Sequence, residues 1–299
     1  MPTFVTANSG GTPATRITSL LSSALSTADP SSPTRATLEE AHELSAGQET
    51  YLERMTGDLI VPKGHAVTKD EVREVWVDLL RTTETTDWKQ LKAHGKTRWE
   101  LSVGMCSGAY EAVVLQQLAL LLKPKKILEI GVFTGTATLA LALLPSVESI
   151  TALDIEDYLP SFVEPFWKRA GVASKIDFRI APALESLDEL IAAKDQTFDL
   201  VFIDADKPGY RAYVENILDG GLLSADGVIL ADNTLYKGYP WSSPADSDTY
   251  SASTGTRNES KKEAAAGIDS FNQFVRARED LEVVVLPIRD GISIIRRKI

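Results

Sequence analysis

Acidic side chains follow the ends of several short apolar segments in this sequence. The stretch FDLVFIDADK, residues 198–207, begins with a run typical of a buried strand and ends in Asp204 and Asp206, with Lys207 directly behind. Carboxylates and an ammonium at the end of an apolar strand are costly to bury unless they are paired. These groups therefore need a partner of opposite charge, supplied by the protein or by a ligand.

A divalent cation is one candidate for that partner. The later stretch GVILADN also ends in polar groups, Asp232 and Asn233. Carboxylate and amide oxygens suit Mg²⁺, and also Mn²⁺ or Ca²⁺. Neighbouring parallel strands lie about 4.8 Å apart, so residues at the ends of two such strands can share one ion. Asp204, Asp232 and Asn233 thus predict a divalent metal site.

Lys207 has two interpretations. Beside a bound cation its pKa would fall towards the range of a general base, which makes Lys207, with Asp204, a catalytic candidate. The alternative is a structural salt bridge from Lys207 to Asp206 or Glu129.

A second cluster indicates a nucleoside cofactor. The stretch EIGVFTG contains Glu129, Gly131 and Gly135, and the next apolar segment ends in Asp154. Glycines allow a ligand to approach the backbone, and an acid after the second strand suits hydrogen bonds to ribose hydroxyls. The dinucleotide motif GxGxxG and the phosphate-loop motif are both missing, which favours a nucleoside without phosphates. Any one of these acids could instead be a helix N-cap or a solvated loop end.

The elements that must position these groups alternate between strand and helix from Lys125 onwards. This βαβ repetition predicts a doubly wound, mostly parallel sheet of seven strands with helices on both faces. Two further strands flank the turn signal RDG, so the last strand should run antiparallel. The segments concerned are KKILEIGV, SITALDI, KIDFRIA, FDLVFIDA, GVILADN, LEVVVLPI and GISIIRR.

The chain divides into three predicted parts. Residues 1–36 form a Ser/Thr/Ala/Pro-rich segment that is flexible at its start and contains one helix, RITSLLSSAL, expected to dock on the domain or on a partner subunit. Residues 37–101 form a helical extension, and residues 102–299 form the α/β domain. The polar stretch 242–260 should be an excursion from that domain.

Composition limits the possible functions. Of 299 residues, 43% are hydrophobic and 24% charged, which is typical of a globular protein, and the net charge of −11 disfavours nucleic-acid partners. Cys106 is the only cysteine and is expected to be a packed small residue, and the three histidines lack zinc-site spacing. We expect no membrane span and no secretory signal, hence a cytoplasmic protein.

The motifs jointly resemble those of the cation-dependent O-methyltransferases of the caffeoyl-CoA and catechol type. The resemblance runs from about Ser102 to the C-terminus and implies a class I methyltransferase fold and S-adenosyl-L-methionine as cofactor. Upstream segments resemble one branch, which includes O-methyltransferases of mycosporine and gadusol biosynthesis. The motifs that carry the family resemblance are ILEIGVFTG, ALDIE, APAL, FDLVFIDADK and ADNTLYKG.

The resemblance also implies roles for individual residues. The metal ligands would be Asp204, Asp232 and Asn233, and Lys207 would be the base. Cofactor contacts would come from ten positions: Met105, Ser107, Glu129, Gly131, Val132, Phe133, Asp154, Ile155, Ala183 and Asp204.

The acceptor side departs from the family pattern. Tyr236 and Lys237 stand where relatives often have Trp-Asn, and with Trp241 they would line the acceptor pocket. Thr136 and Ala137 replace a frequent Tyr-Ser, which removes one serine contact to the cofactor.

The expected function is transfer of a methyl group from S-adenosylmethionine to a small acceptor with vicinal oxygens, of catechol or cyclic enediol type, in secondary metabolism. A divalent metal would assist, and a homodimer is the expected assembly. One alternative is methylation of a carboxylate or another oxygen. Others are a non-catalytic cofactor-binding protein and a nicotinamide oxidoreductase, against which the missing GxGxxG argues.

Overall fold

A seven-stranded sheet carries the acidic segments. The computed structural model describes residues 11–242 and 257–299. Its strands are β1 (Lys126–Ile130), β2 (Ser149–Asp154), β3 (Ile176–Ile180), β4 (Phe198–Ile203), β5 (Leu223–Ala231), β6 (Leu281–Leu286) and β7 (Ile292–Arg297).

The strand order is β3-β2-β1-β4-β5-β7-β6. The first five strands pair in parallel, whereas β7 is antiparallel to both of its neighbours, β5 and β6. This confirms the predicted doubly wound sheet with an antiparallel last strand. The chain changes its direction of winding between β1 and β4, and in such sheets a ligand crevice opens at that point, beyond the carboxyl ends of the strands.

Helices cover both faces of the sheet because its central strands are apolar on both sides. In β4, Leu200 and Phe202 face one core cluster, and Val201 and Ile203 face the other. The helices are α1 (Pro13–Thr27), α2 (Pro33–Met55), α3 (Lys69–Thr85), α4 (Trp88–Ala93), α5 (Gly108–Leu122), α6 (Thr136–Ala142), α7 (Leu159–Arg169), α8 (Ala183–Ala193), α9 (Tyr210–Asp219), α10 (Tyr239–Ser242) and α11 (Arg257–Ala277).

The helix predicted near the N-terminus is α1, which forms a helical hairpin with α2. Neither helix contains a buried residue. Thr12 caps α1 and its hydroxyl also donates to Glu49 of α2. At the other side of α1, the Arg16 guanidinium donates to the Lys237 carbonyl at 3.0 Å and stacks on the Tyr239 ring. The hairpin therefore rests on the segment that follows β5.

One helical segment of the described chain is unusually apolar. The stretch Val103–Leu122, most of it α5, is long and apolar enough by length and composition to cross a membrane. In the structure Ala112, Leu115 and Ala119 of this stretch are fully buried in the core beside the sheet. Its apolar character is explained by that packing.

The predicted polar excursion falls mostly on residues 243–256, outside the described residues, and α11 already begins at Arg257.

Candidate functional site

The carboxyl ends of β1, β4 and β5 are joined by hydrogen bonds that continue beyond the strands. The Asp204 N–H donates to the Ile130 carbonyl at 2.8 Å, and the Asp232 N–H donates to the Ile203 carbonyl at 2.9 Å. Asp204 and Asp232 are thus brought to one edge of the sheet, as the sequence predicted. Asn233 follows directly in a left-handed conformation, φ 57°, which asparagine tolerates better than most residues.

Lys207 pairs with Asp204. Its Nζ lies 3.0 Å from Asp204 Oδ1 and 2.8 Å from the Tyr210 hydroxyl, and the pair is largely buried. Asp206 has other partners, because it accepts hydrogen bonds from the Tyr213 hydroxyl and the Gly209 N–H. The suggested salt bridges from Lys207 to Asp206 or Glu129 were therefore wrong, since the short turn after β4 directs the ammonium back towards the sheet.

The electrostatics of this edge are those of a negative site. Burial, together with the charge of Asp204, raises the pKa of Asp232 to about 6. Burial alone would lower the pKa of Lys207, but Asp204 and Asp232 raise it by more, so its pKa lies above the ordinary value. Without a bound ion, Lys207 is therefore an ammonium that neutralises carboxylates.

Glu111 of α5 is a site residue that the sequence reasoning missed. It is 3% exposed, and its Oε1 has no hydrogen-bond partner in the described part of the chain. Burial and the neighbouring Asp232 raise its pKa well above the ordinary value, and the Nε of Arg289 lies 3.9 Å from its Oε2. A lone acid in the first turn of an otherwise uncharged helix was the available signal, because a buried acid needs a partner.

The donor set suits a hard divalent cation. Within residues 11–242 and 257–299 there is no group of three or more His, Cys, Asp or Glu side chains that could hold a metal. The predicted set has only two carboxylates and adds the Asn233 amide. Asp204 and Asp232 lie close enough to raise the pKa of Asp232, and a cation bound between them would relieve that repulsion.

Glu129 is a buried carboxyl in the cofactor region. It is fully buried in β1, and neither carboxylate oxygen has a hydrogen-bond partner among residues 11–242 and 257–299. Burial raises its pKa to about 8. A ligand with an ammonium group would satisfy this carboxylate, so the residue fits the amino-acid part of the expected cofactor.

Asp154 has a structural task besides the predicted one. Its Oδ2 accepts the N–H groups of Val132 and Phe133 at 2.9 and 3.0 Å, and its Oδ1 accepts those of Ile155 and Glu156. The carboxylate thus shapes the turn after β1. Any contact to a ribose would be made by a group that is already held rigidly in place.

The N-terminal extension braces the same turn. Phe133 has φ 47°, and its ring lies 5.1 Å from that of Trp88 in α4, which is 4% exposed. The buried Glu156 carboxylate accepts the N–H groups of Arg98 and Trp99. These contacts join residues that are far apart in sequence, so no local sequence motif predicts them.

The remaining cofactor candidates border this region at different depths. Ser107 is buried at the start of α5, whereas Met105 and Ile155 are exposed. Ala183 is the first residue of α8, at the end of β3.

The acceptor candidates lie on the segment that follows Asn233. Tyr236 and Lys237 belong to one 3-10 turn with positive φ at both residues, and the Lys237 N–H donates to Asp290 Oδ1 at 2.5 Å. Burial raises the pKa of Asp290 to about 7. Tyr236 is buried and Trp241 is exposed.

Comparison with known proteins decides the family. Residues 83–298 match the family model described as O-methyltransferase. The chain belongs to the O-methyltransferase family. The family resemblance found in the sequence is thereby confirmed, as is the assignment of the chain as a methyltransferase.

Named relatives agree with this assignment. The O-methyltransferase is 38% identical over 205 residues to a caffeoyl-CoA O-methyltransferase of Mesembryanthemum crystallinum, covering 68% of this chain and 75% of the relative. It is also 38% identical over 199 residues to tricin synthase 1 of Oryza sativa subsp. japonica, covering 64% and 75%.

Solved structures confirm the fold. A SAH-bound methyltransferase of Podospora anserina aligns with a TM-score of 0.66 at 25% identity, covering 86% of this chain and 96% of that one.

The burial of Glu129 predicts a pH-dependent stability. The unfolded chain loses this proton near pH 4.5, whereas the folded state keeps it up to about pH 8. Between these values the folded state binds more protons, so the free energy of unfolding falls as the pH rises, by up to about 1.4 kcal/mol per pH unit. Glu129→Gln should therefore melt at a higher temperature than the wild type at pH 8, with the difference shrinking towards pH 4.5.

Thermal unfolding at pH 5 and pH 8 checks this expectation. The exposed glutamate in Glu148→Gln serves as the matched control and should show no such pH-dependent gain. Equal melting temperatures of Glu129→Gln and the wild type at pH 8 would contradict the assignment of an unpaired, buried carboxyl.

Proposed function

We propose that this O-methyltransferase transfers the methyl group of S-adenosyl-L-methionine to one of two neighbouring oxygens of a small acceptor, in the presence of a divalent cation. The single observation that carries the proposal is the placement of the unpaired Glu129 and of the Asp204–Lys207 pair at the same edge of the sheet. The names of the caffeoyl-CoA O-methyltransferase relatives and the SAH-bound structural neighbour support it.

In this proposal the cofactor side is built by β1 and β2. Glu129 would accept hydrogen bonds from the ammonium of the methionine part. Asp154, already fixed by four N–H donors, would hold the ribose without reorganisation. The turn Gly131–Phe133 and the loop Met105–Ser107 would enclose the sulfonium end.

The acceptor side is built by β4 and β5. Asp204, Asp232 and Asn233 would hold the cation, which when bound lowers the pKa of a chelated hydroxyl and orients it. Lys207, as the neutral amine, would accept the proton that the hydroxyl loses when the methyl group is transferred. Tyr210 and Asp204 fix the position of its Nζ, at 2.8 and 3.0 Å. Tyr236, Lys237 and Trp241 would face the rest of the acceptor.

The acceptor class follows from these groups. Two neighbouring oxygens are needed to occupy two positions on one ion, as catechols and cyclic enediols offer. We further propose that the protein acts in secondary metabolism and in the cytoplasm. The resemblance to the branch with mycosporine and gadusol enzymes agrees with a cyclic enediol.

Two alternatives remain distinguishable. A carboxylate acceptor needs no base, so its methylation would persist in Lys207→Ala. A nicotinamide enzyme would be revealed by calorimetric titration, because the proposal requires binding of S-adenosylhomocysteine and no binding of NAD. A non-catalytic cofactor-binding protein would bind S-adenosylhomocysteine but would methylate no acceptor in the turnover assay.

The first test concerns the cation. Turnover of a vicinal-diol acceptor should vanish with EDTA and return with Mg²⁺, Mn²⁺ or Ca²⁺. Asp204→Asn should lose Mn²⁺ binding, measured by calorimetry, while keeping its fold, because the strand behind it is apolar. Asp206→Asn is the matched control, since that carboxylate is bonded to Tyr213 instead. Full turnover in EDTA would exclude the metal.

The second test concerns Lys207. Lys207→Ala should keep its affinity for S-adenosylhomocysteine but lose turnover by roughly 10²- to 10⁴-fold, most for acceptors with a high pKa. Turnover at several pH values, with the melting temperature measured alongside, is the required comparison. If the residue is only a structural partner of Asp204, the melting temperature falls and turnover changes little.

The third test concerns assembly. The hairpin α1–α2 buries no residue and exposes Leu20, Leu44 and Met55, so we propose that it contributes to a homodimer interface. The full chain should sediment as a dimer at micromolar concentration, and Leu44→Glu should shift it towards monomer. A monomeric wild type under these conditions would refute the proposal.

A further inference from the structure

The turn between β6 and β7 touches both loops that border the proposed site. Its residues Arg289, Asp290 and Gly291 connect the last two strands. A side-chain carbon at Gly291 would lie 2.8 Å from the Leu235 backbone nitrogen, which shows how closely the turn packs on the segment after β5. The Thr234 N–H donates to the Gly291 carbonyl, and the Leu235 N–H donates to the Asp290 carbonyl.

Arg289 extends from this turn to the opposite side of the site. Its Nη1 donates to the Ser107 carbonyl at 3.0 Å, and its Nε lies 3.9 Å from Glu111 Oε2. The side chain is only 17% exposed. One guanidinium therefore contacts both the loop that enters α5 and the first turn of that helix, although 178 residues of sequence separate Arg289 from Glu111.

The backbone of Arg289 is unfavourable for an arginine. Its φ of 47° lies in the left-handed region, which costs a non-glycine residue conformational energy because its Cβ atom comes too close to the following carbonyl oxygen. Glycine would adopt this conformation without that cost. The backbone of the turn therefore favours glycine at this position. The arginine contributes the contacts of its guanidinium instead.

We propose that Arg289 is a positioning residue for the cofactor, acting through Ser107. By fixing the Ser107 carbonyl and the start of α5, it holds the loop Met105–Ser107 in place over the cofactor pocket. This inference rests on the proposed function in one respect, namely that this loop covers S-adenosylmethionine. It adds a residue that affects cofactor affinity and lies in the turn between β6 and β7, outside the strands that carry the other cofactor residues.

The test is the affinity for S-adenosylhomocysteine, measured by calorimetry below the melting temperature. Arg289→Gly relieves the backbone strain and removes the guanidinium, so it should weaken binding roughly tenfold. Arg289→Lys keeps a cation that can reach the Ser107 carbonyl and should recover part of the loss. Lys123→Gly is the matched control and should bind like the wild type. It relieves a left-handed residue, φ 51°, at the other end of α5, a helix of 15 residues that is about 22 Å long.

A purely structural role would give a different pattern. Arg289→Gly would then change the melting temperature but not the affinity of the folded protein, and that result would overturn the proposal. If loss of the guanidinium unfolds the chain by leaving Glu111 unpaired, Arg289→Gly combined with Glu111→Gln removes both charges. Its binding is then compared with that of Glu111→Gln alone. Failure of the wild type to bind S-adenosylhomocysteine would instead refute the proposed function.

Discussion

Repulsion between buried carboxylates at one edge of the sheet is the constraint on which the site depends. Asp204 and Asp232 end neighbouring strands, and Glu111 approaches them from α5. Lys207 and Arg289 neutralise part of this charge. A chain that folds with such a cluster must either protonate it or bind cations there, and both responses are seen in the raised pKa values of Asp232 and Glu111 and in the buried position of Lys207.

The cofactor side also contains a buried carboxyl, Glu129, but this one stays protonated instead of pairing with a cation. Among the residues that the structure describes, no cation forms an ion pair with Glu129, and its carboxyl remains protonated to about pH 8. The unpaired carboxyl lowers stability at neutral pH, and a positively charged ligand would recover that loss. Glu129 thus lowers the stability of the free protein at the position where it would bind the cofactor.

The fold and the edge at which the acids meet could be predicted from sequence. Apolar runs alternating with helices specify a parallel sheet, and parallel strands place their carboxyl ends together, so Asp204 and Asp232 were identified without coordinates. The partner of Lys207 could not be predicted, because Asp206 is its neighbour in sequence and Asp204 lies three residues before it, and only the turn geometry selects the more distant of the two. Glu111 and Arg289 were missed because their contact joins distant segments. The four N–H donors to Asp154 were missed because they are set by the turn conformation.

Gly131 joins the two halves of the site. A side-chain carbon at this residue would lie 2.2 Å from the Asp204 carbonyl oxygen, so the turn after β1 and the backbone of Asp204 are in contact with no free space between them. A small shift of either segment must move the other, because packed backbones do not compress. Occupancy of the cofactor pocket would then alter the affinity of the Asp204 carboxylate for an ion. Thermodynamic reciprocity requires the ion to alter cofactor affinity by the same factor.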